Sequence, residues 1–278
     1  MIANAVIQIR LNERVIDVPK GLRLRNLHRE RAPEADIAIL NGFPTTEDVV
    51  LDDGDQVVFI QRGVVPGPEE LEAMLVARHG PDVHDKLKRG QVGIAGCGGL
   101  GSTVAVALAR SGVGRLVLVD FDVVEPSNLN RQQYFIEQIG LPKVEALAAN
   151  LARINPYVVA VRHQMRLEMA DVFRVFAGCD VVVECFDNPA AKADLALAMR
   201  KHLPTVPLVA ASGLAGYGPA TAIVSRRVLG NHFLVGDGVS AARPGLGLLA
   251  PRVAVAAGHQ ANIVLRLLLG AISPHEGG

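Results

Sequence analysis

The chain has 278 residues, carries 28 basic and 28 acidic side chains, and is 50% hydrophobic. This length fits one large domain, or a large domain with a small one, and excludes a peptide hormone or a small disulfide scaffold. The formal net charge of zero gives no overall basic field, so nucleic acid is not an expected partner, and three cysteines without a closely spaced pair are typical of a reduced, cytoplasmic protein.

The first 63 residues predict short strands around a single helix. The predicted strands are Ala5–Leu11, Val15–Val18, Ile37–Leu40 and Gln56–Ile60, with a helix near Leu22–Leu27 that ends before Pro33. Residues 1–10 alternate between apolar and polar side chains, which favours a half-buried strand over a signal peptide. Strand, strand, helix, strand, strand is the chain order of a small ubiquitin-like β-grasp domain, which we expect over residues 1–63.

Residues 64–90 are predicted to link this domain to a second one. The run from Gly63 to Pro68 contains two prolines and two glycines, which interrupt regular structure. Apolar residues on one face predict a helix over Pro68–Arg78, and a second short helix is expected over Asp82–Lys88.

From Gln91 onward, predicted strands alternate with predicted helices. The strands are Val92–Ala95, Leu116–Val119, Val158–Arg162, Val181–Val183 and Leu208–Ala211. The helices are Leu100–Arg110, Lys143–Ile154, Met169–Phe176, Ala190–His202 and Pro251–Gly270. Charged and polar residues within the last helix, such as Arg252 and Arg266, argue against a membrane span. The alternation predicts an α/β, Rossmann-like and mostly parallel sheet with flanking helices over residues 91–278.

A glycine-rich loop joins the first of these strands to the first helix. Gly96, Gly98, Gly99 and Gly101 fit the pattern G-x-G-x-x-G in the strand-to-helix context that this motif requires. Such a loop lets the backbone approach phosphate oxygens at a helix N-terminus. Asp120 ends the next strand, about where a ribose-binding acid is expected. The loop and the acid predict a nucleotide site, but they leave both NAD and ATP open.

The residues after Asp120 separate these two alternatives. The chain reads D-F-D-V-V-E-P-S-N-L-N-R-Q over residues 120–132, G-L-P-K over residues 140–143 and D-N over residues 187–188. In this order and spacing, and with the glycine loop, the motifs resemble the ThiF/MoeB/HesA family, the bacterial relatives of ubiquitin-activating enzymes. The resemblance covers residues 91–225, and residues 1–63 are similar to the ThiS-like carriers of the same pathway.

The resemblance implies an enzyme, an adenylyltransferase that uses ATP and Mg²⁺ to activate the C-terminal carboxylate of a ubiquitin-like sulfur carrier. Because both halves of the chain resemble the thiamine system, a ThiS-like carrier of thiamine biosynthesis is the expected partner. A molybdopterin-synthase subunit as the carrier and a non-catalytic nucleotide-binding scaffold remain alternatives. An NAD-dependent oxidoreductase is a further alternative, although it leaves Arg131, Lys143 and Asp187 without an explained role.

The resemblance also assigns residues. It implies that Arg131 and Lys143 bind the phosphates, that Asp187 binds Mg²⁺ and that Asp120 binds the ribose. The chemistry agrees, because a carboxylate that attacks a phosphate needs cations to offset the repulsion between two anions. The remaining ATP contacts are expected from the glycine loop and from Asp122, Ser127, Asn128, Asn130, Gln132 and Asn188.

Each of these residues also has a simpler structural interpretation. Arg131 could cap a loop carbonyl, Lys143 could begin a helix, and Asp187-Asn188 is a good turn and N-cap signal. The family resemblance further implies a homodimer in which Arg78 of one subunit reaches the other subunit's ATP site. A solvated arginine at a helix end is the alternative for Arg78.

Three features depart from the family pattern. The chain lacks the two C-x-x-C pairs with which many members bind zinc, so we expect no zinc. No cysteine follows Cys185, so a covalent second step is not expected. Gly63 continues into Val64, so the β-grasp domain has no free carboxylate at that point to be adenylated. The Gly277-Gly278 end follows a predicted helix and is interpreted as a coincidence.

Overall fold

A computed structural model describes residues 5–272 of the chain. The interpretation of Gly277-Gly278 concerns residues outside this range. The described chain forms two compact units, of which one ends at His84 and the other begins at Asp85. Within residues 5–272, no helix combines the length and hydrophobicity needed to cross a bilayer.

The first unit contains a five-stranded mixed sheet packed on one helix. Its elements are β1 (Val6–Leu11), β2 (Arg14–Pro19), α1 (Leu24–Arg31), β3 (Ile37–Leu40), β4 (Phe43–Thr45) and β5 (Gln56–Ile60). The strand order is β2-β1-β5-β3-β4, and only the central pair, β1 and β5, is parallel. Alternate residues of β1, Ile7 and Ile9, are buried against Leu24 and Leu27 of α1. The predicted β-grasp arrangement is confirmed.

Strand β4 was not predicted from the sequence. It has only three residues, and Pro44 at its centre cannot donate a backbone hydrogen bond. Proline is tolerated there because β4 pairs only with β3 and forms the edge of the sheet. Two further helices follow this sheet, α2 (Pro68–His79) and α3 (Pro81–Arg89).

The second unit is built on a seven-stranded sheet. Its strands are β6 (Gln91–Ala95), β7 (Arg115–Asp120), β8 (Val159–Gln164), β9 (Val181–Glu184), β10 (Leu208–Ala211), β11 (Val224–Leu229) and β12 (His232–Gly236). The order is β11-β12-β10-β9-β6-β7-β8, and every pair except β11–β12 is parallel. Ile94 of β6 pairs with Leu118 on one side and Val183 on the other. The Rossmann-like sheet predicted from the sequence is confirmed.

Helices cover both faces of this sheet. They are α4 (Gly99–Arg110), α5 (Lys143–Ile154), α6 (Val172–Phe176), α7 (Pro189–His202) and α8 (Ala250–Leu268). Helix α4 packs on α5 and α8, while α6 and α7 pack together with a core that includes Ala95, Val119 and Val182. The sheet therefore has an apolar layer on each face, between its strands and the helices that cover them, as in a doubly wound fold.

Strands β11 and β12 were not predicted from the sequence, and one helix is shorter than predicted. Strand β11 is an edge strand with mostly exposed residues, including Arg226, so it lacks the apolar run of a buried strand. Helix α6 begins at Val172 and not at Met169, because residues 169–171 form a turn instead.

Candidate active site

The carboxyl ends of β6, β7 and β9 meet at one edge of the sheet. The chain runs outward from β6 through β7 to β8 and then returns to β9 on the opposite side of β6. Crevices at such reversals of strand order are the usual ligand sites of open α/β sheets. The glycine loop follows β6, Asp120 ends β7, and Asp187 lies shortly after β9, so the fold brings the three predicted motifs to the same edge.

The glycine loop packs too tightly for side chains. A Cβ atom on Gly101 would lie 1.8 Å from the carbonyl oxygen of Gly96, and Gly96 itself has φ of +94°. Both positions therefore require glycine. Helix α4 starts at Gly99 without a side-chain cap at Gly98, so its first N–H groups face the crevice as an anion-binding terminus.

Asp120 holds the glycine loop through its carboxylate. One carboxylate oxygen accepts a hydrogen bond from the N–H of Cys97 at 2.7 Å, and the other accepts from the N–H of Asp122 at 2.8 Å. Burial raises the pKa of Asp120, although both hydrogen bonds oppose that change. Each oxygen retains a second lone pair, which matches the hydroxyl donors of a ribose.

Lys143 lies at the start of α5 and faces the same crevice. Its side chain is 7% exposed, and its Nζ lies 2.8 Å from Oδ2 of Asp122, whose side chain is 44% exposed. The buried hydroxyl of Tyr134 donates to the carbonyl oxygen of Cys97 at 2.7 Å and lies 3.4 Å from that of Lys143. Burial raises the pKa of this phenol, which keeps it a neutral donor. Tyr134 therefore links the glycine loop to the backbone of Lys143.

Arg131 packs directly against the glycine loop. A Cβ atom on Gly99 would lie 3.3 Å from Cγ of Arg131. Nη1 of Arg131 donates to Oδ1 of Asn130 at 2.8 Å and to the carbonyl of Ser127 at 3.3 Å. The structure thus contains the loop-capping contact considered for Arg131, and it also places the guanidinium beside the predicted phosphate loop.

Gln132 has a buried acceptor, Oε1, without a hydrogen-bond partner. Gln132 lines a cavity of about 340 Å³ together with Arg131, the α4 residue Thr103 and the first turn of α8. A buried unpaired polar atom costs free energy unless a ligand or water satisfies it. A second cavity of about 360 Å³, near Gly90 and Pro207, lies at the amino ends of the strands, away from these residues.

The predicted residues between the strand end and Arg131 shape the loop. Asn128 is buried, and its Oδ1 accepts from the N–H of Glu125 at 3.1 Å. The hydroxyl of Ser127 donates to the Glu125 carboxylate at 3.3 Å. These contacts fix the backbone that carries Asn130 and Arg131 into the crevice.

Asp187 and Asn188 form the turn between β9 and α7. Oδ1 of Asn188 accepts from the N–H groups of Ala190 and Ala191 at 2.9 and 3.1 Å, so Asn188 is an N-cap, as its alternative interpretation predicted. Asp187 is exposed one position before this cap. The same turn contacts the glycine loop, because a Cβ on Gly96 would lie 2.9 Å from the carbonyl oxygen of Cys185.

Arg78 lies in the last turn of α2, within the first unit. Its side chain is 77% exposed, and Nη2 lies 3.2 Å from Oε1 of Glu13 in the same unit. Its assignment to a partner's ATP site stays a prediction.

Several residues that support this edge of the sheet were not predicted from the sequence. Glu184, the last residue of β9, is buried and forms an ion pair with the partly exposed Lys192. Gln260 of α8 is fully buried and donates to the carbonyls of Glu184 and Val209. The only signal in the sequence is an acidic residue that ends an apolar strand, and nothing in the sequence identifies its partner.

The glycine-rich segment after β12 is anchored by an ion pair between two largely buried side chains. Nη2 of Arg252 lies 2.6 Å from Oδ2 of Asp237, and Nη1 donates to the carbonyls of Gly218 and Pro219. Burial raises the pKa of Asp237, but hydrogen bonds from Ser240 and the charge of Arg252 outweigh burial and lower it to about 2. These contacts therefore fix the base of this segment.

All three cysteines are free and buried. Burial raises the pKa of Cys179 to about 12 and raises the pKa values of Cys97 and Cys185 as well. We interpret them as packing residues, because buried thiols with raised pKa values are poor nucleophiles.

The residues at this edge fit a nucleotide and a single magnesium ion. The glycine cradle, the free lone pairs of Asp120 and the unpartnered Oε1 of Gln132 provide sites for phosphate, ribose and a hydrogen-bond donor. Among the described residues, no three His, Cys, Asp or Glu side chains could hold a metal ion together. Magnesium needs no such cluster, because it is usually bound by one or two carboxylates together with substrate phosphates.

The fold and this crevice define a nucleotide-binding protein of the doubly wound α/β class. Residues 71–277 match the model of the ThiF family, and residues 7–63 match that of ThiS-like ubiquitin. Because the first match covers more than half of the chain, the chain belongs to the ThiF family.

Individual relatives agree with this assignment. The molybdopterin-synthase adenylyltransferase of Escherichia coli (strain K12) is 32% identical over 207 residues, which are 70% of this chain and 80% of that protein. The adenylyltransferase and sulfurtransferase UBA4 of Yarrowia lipolytica is 35% identical over 144 residues, 51% of this chain. The matched part spans only 35% of that fungal protein.

A solved structure shows the same fold. The E. coli tRNA N6-threonylcarbamoyladenosine dehydratase in complex with ATP superposes with a TM-score of 0.66 at 22% identity. The match covers 75% of this chain and 98% of that one.

Proposed function

We propose that the chain is an ATP-dependent adenylyltransferase that activates the C-terminal carboxylate of a ubiquitin-like sulfur carrier. The observation that carries the proposal is the convergence of the glycine loop, Asp120, Lys143 and Arg131 on one crevice. Relatives named as adenylyltransferases support it, as does an ATP complex of a protein with the same fold.

In the proposed reaction, a carboxylate oxygen of the carrier attacks the α-phosphorus of ATP. A bond forms between that oxygen and phosphorus, the bond to the bridging oxygen breaks, and pyrophosphate leaves with its electron pair. No general base is required, because a C-terminal carboxylate is ionised near neutral pH. The work of the protein is to orient two anions and to stabilise the charge that develops on the phosphate.

Arg131 and Lys143 supply that stabilisation. Both observed hydrogen bonds of Arg131 use Nη1. Within residues 5–272, its Nε and Nη2 donors therefore remain for two phosphate oxygens. Lys143 uses one of its three ammonium donors on Asp122 and acts as a point charge with the others.

Asp187 is the proposed magnesium ligand. When bound, the ion would neutralise part of the phosphate charge and so favour attack by an anionic carboxylate. The exposed position of Asp187 at the mouth of the crevice suits a ligand that shares the ion with a substrate and water.

The carrier of thiamine biosynthesis is the proposed substrate, because residues 7–63 match a ThiS-like domain. The second candidate is a molybdopterin-synthase subunit, favoured by the 32% identity to an adenylyltransferase of that pathway. Carrier-dependent exchange of pyrophosphate into ATP distinguishes them when purified carriers of both kinds are compared. Exchange with neither carrier, despite ATP binding, would support a non-catalytic scaffold instead.

The β-grasp unit of this chain is proposed not to be a substrate. Gly63 has φ of +74° and continues through Val64 towards α2, so no free carboxylate exists at that point. The fused unit raises the local concentration of a carrier-like domain and could mimic the carrier at its docking surface. Intact-mass measurement after incubation with ATP tests this, and cleavage after Gly63 with a mass shift on the released fragment would refute it.

We also propose a cytoplasmic homodimer in which Arg78 completes the partner's site. Mixing Arg78→Ala protein with Lys143→Met protein tests this, because a mixed dimer would contain one site with both cations. Recovery of exchange activity supports action in trans. No recovery, with mixed dimers shown by mass spectrometry, would refute it.

A further inference from the structure

An ion pair between a buried carboxylate and a partly exposed lysine lies at the carboxyl end of β9, just before Asp187. The side chain of Glu184 is 2% exposed, and Nζ of Lys192 lies 2.9 Å from each of its carboxylate oxygens. Nζ also donates to the carbonyl of Ala211, the last residue of β10, at 3.0 Å. An ammonium has three donors. All three are used here, so Lys192 has none left for a phosphate oxygen.

The same carboxylate fixes the residue that precedes Asp187. The N–H of Phe186 donates to Oε1 of Glu184 at 2.6 Å. On the other side of Asp187, Asn188 caps α7, and the N–H of Lys192 donates to the carbonyl of Asn188 at 3.1 Å. The backbone of Asp187 is therefore held from both sides, and Lys192 joins the two restraints by linking the first turn of α7 to Glu184.

We infer that Glu184 and Lys192 are positioning residues that hold the carboxylate of Asp187 where it binds the magnesium ion of bound ATP. The inference rests on the proposed role of Asp187. A buried ion pair is not needed for stability alone, because apolar residues of similar size often serve as well. What an apolar pair cannot supply is the acceptor for Phe186 and the directed bonds to β10 and α7.

The test uses nucleotide binding, which does not depend on a carrier or on turnover. The affinity of a fluorescent ATP analogue is measured without magnesium and over a range of magnesium concentrations. Lys192→Met should raise the magnesium concentration needed for half-maximal tightening about 10- to 100-fold, and leave the magnesium-free affinity unchanged. Lys192→Arg, which keeps the cation, should recover most of the response. Lys201→Met, an exposed change on the last turn of α7, should match the wild type.

A double variant guards against a simple loss of folding. Glu184→Met with Lys192→Met replaces both charges by apolar side chains, so this variant should melt at a higher temperature than Lys192→Met, which leaves the Glu184 carboxylate unpaired. Its magnesium response should still be impaired, because Phe186 has lost its acceptor. A folded double variant with a wild-type response would overturn the inference. Equal loss of affinity with and without magnesium in Lys192→Met would also overturn it, by showing a merely structural role.

These measurements distinguish a failure of the proposed function from a failure of the positioning inference. If the wild-type protein shows the magnesium response but never exchanges pyrophosphate with any carrier, the positioning inference stands and the adenylyltransferase proposal fails. If the wild-type affinity does not depend on magnesium, the positioning inference fails.

Discussion

Lys143→Met separates the electrostatic role of this residue from its role in folding. Met preserves most of the apolar stem of a buried side chain, and the backbone N–H at this position still donates to the carbonyl of Asp122 at 2.9 Å. The substitution removes one ion pair and leaves behind the carboxylate of Asp122, which is nearly half exposed. Because water can solvate that carboxylate, the free energy of unfolding should fall by about 1 kcal/mol or less.

The effect on catalysis should be much larger. Removing a donor that meets developing charge in a transition state costs about 2.7–4 kcal/mol, which corresponds to a 10²- to 10³-fold slower reaction. The assay is carrier-dependent ATP–pyrophosphate exchange, with thermal unfolding as the measure of stability. Lys201→Met, which removes an exposed lysine of α7, is the matched control and should leave both quantities unchanged. A folded Lys143→Met protein that exchanges pyrophosphate at the wild-type rate would refute the assigned role.

Three further predictions follow from the geometry. Gly101→Ala should lower stability by about 1–3 kcal/mol and abolish ATP binding, because its methyl group would collide with the carbonyl of Gly96; Gly258→Ala, in an open position of α8, should instead raise the melting temperature. Asp237→Asn should destabilise the protein at pH 7 in thermal unfolding, whereas exposed Asp194→Asn should not. Because the pKa of Asp237 is lowered to about 2, its contribution to the free energy of unfolding is present above pH ~4 and is lost as the pH falls towards 2. The stability of the variant should therefore depend less on pH over that interval than the stability of the wild type. Iodoacetamide at pH 8 should modify no cysteine of the native protein and all three after unfolding in urea, since burial raises the thiol pKa values; rapid modification of native protein would contradict this.

Much of the fold was predictable because its local patterns agree with its packing. Strands such as β9 are continuous apolar runs, which is what burial on both faces of a parallel sheet requires. Helix α5 begins right after Pro142 and ends at Ile154, just before Asn155 and Pro156, and both boundaries are clear signals in the sequence. The edge strands β4 and β11 carry no such run, because each pairs with only one neighbouring strand and is partly exposed to solvent.

The candidate site was predictable only where its chemistry is local in sequence. The glycine loop and the segment from Asp120 to Gln132 are short motifs, and the fold brings them together as their order implied. The Glu184–Lys192 and Asp237–Arg252 pairs join different elements, so their partners emerge only from the folded structure. The assignment of Arg78 depends on a second subunit and stays a prediction.

The most direct measurement follows the phosphate that the carrier's carboxylate attacks. The protein is incubated with a ThiS-like carrier and with ATP labelled either at the α-phosphate or at the γ-phosphate. We expect the α-label on the carrier and the γ-label, among the products, only in pyrophosphate. A carrier with an amidated C-terminus should acquire neither label. Transfer of the γ-label to the carrier, or α-labelling of the amidated carrier, would contradict the proposed reaction.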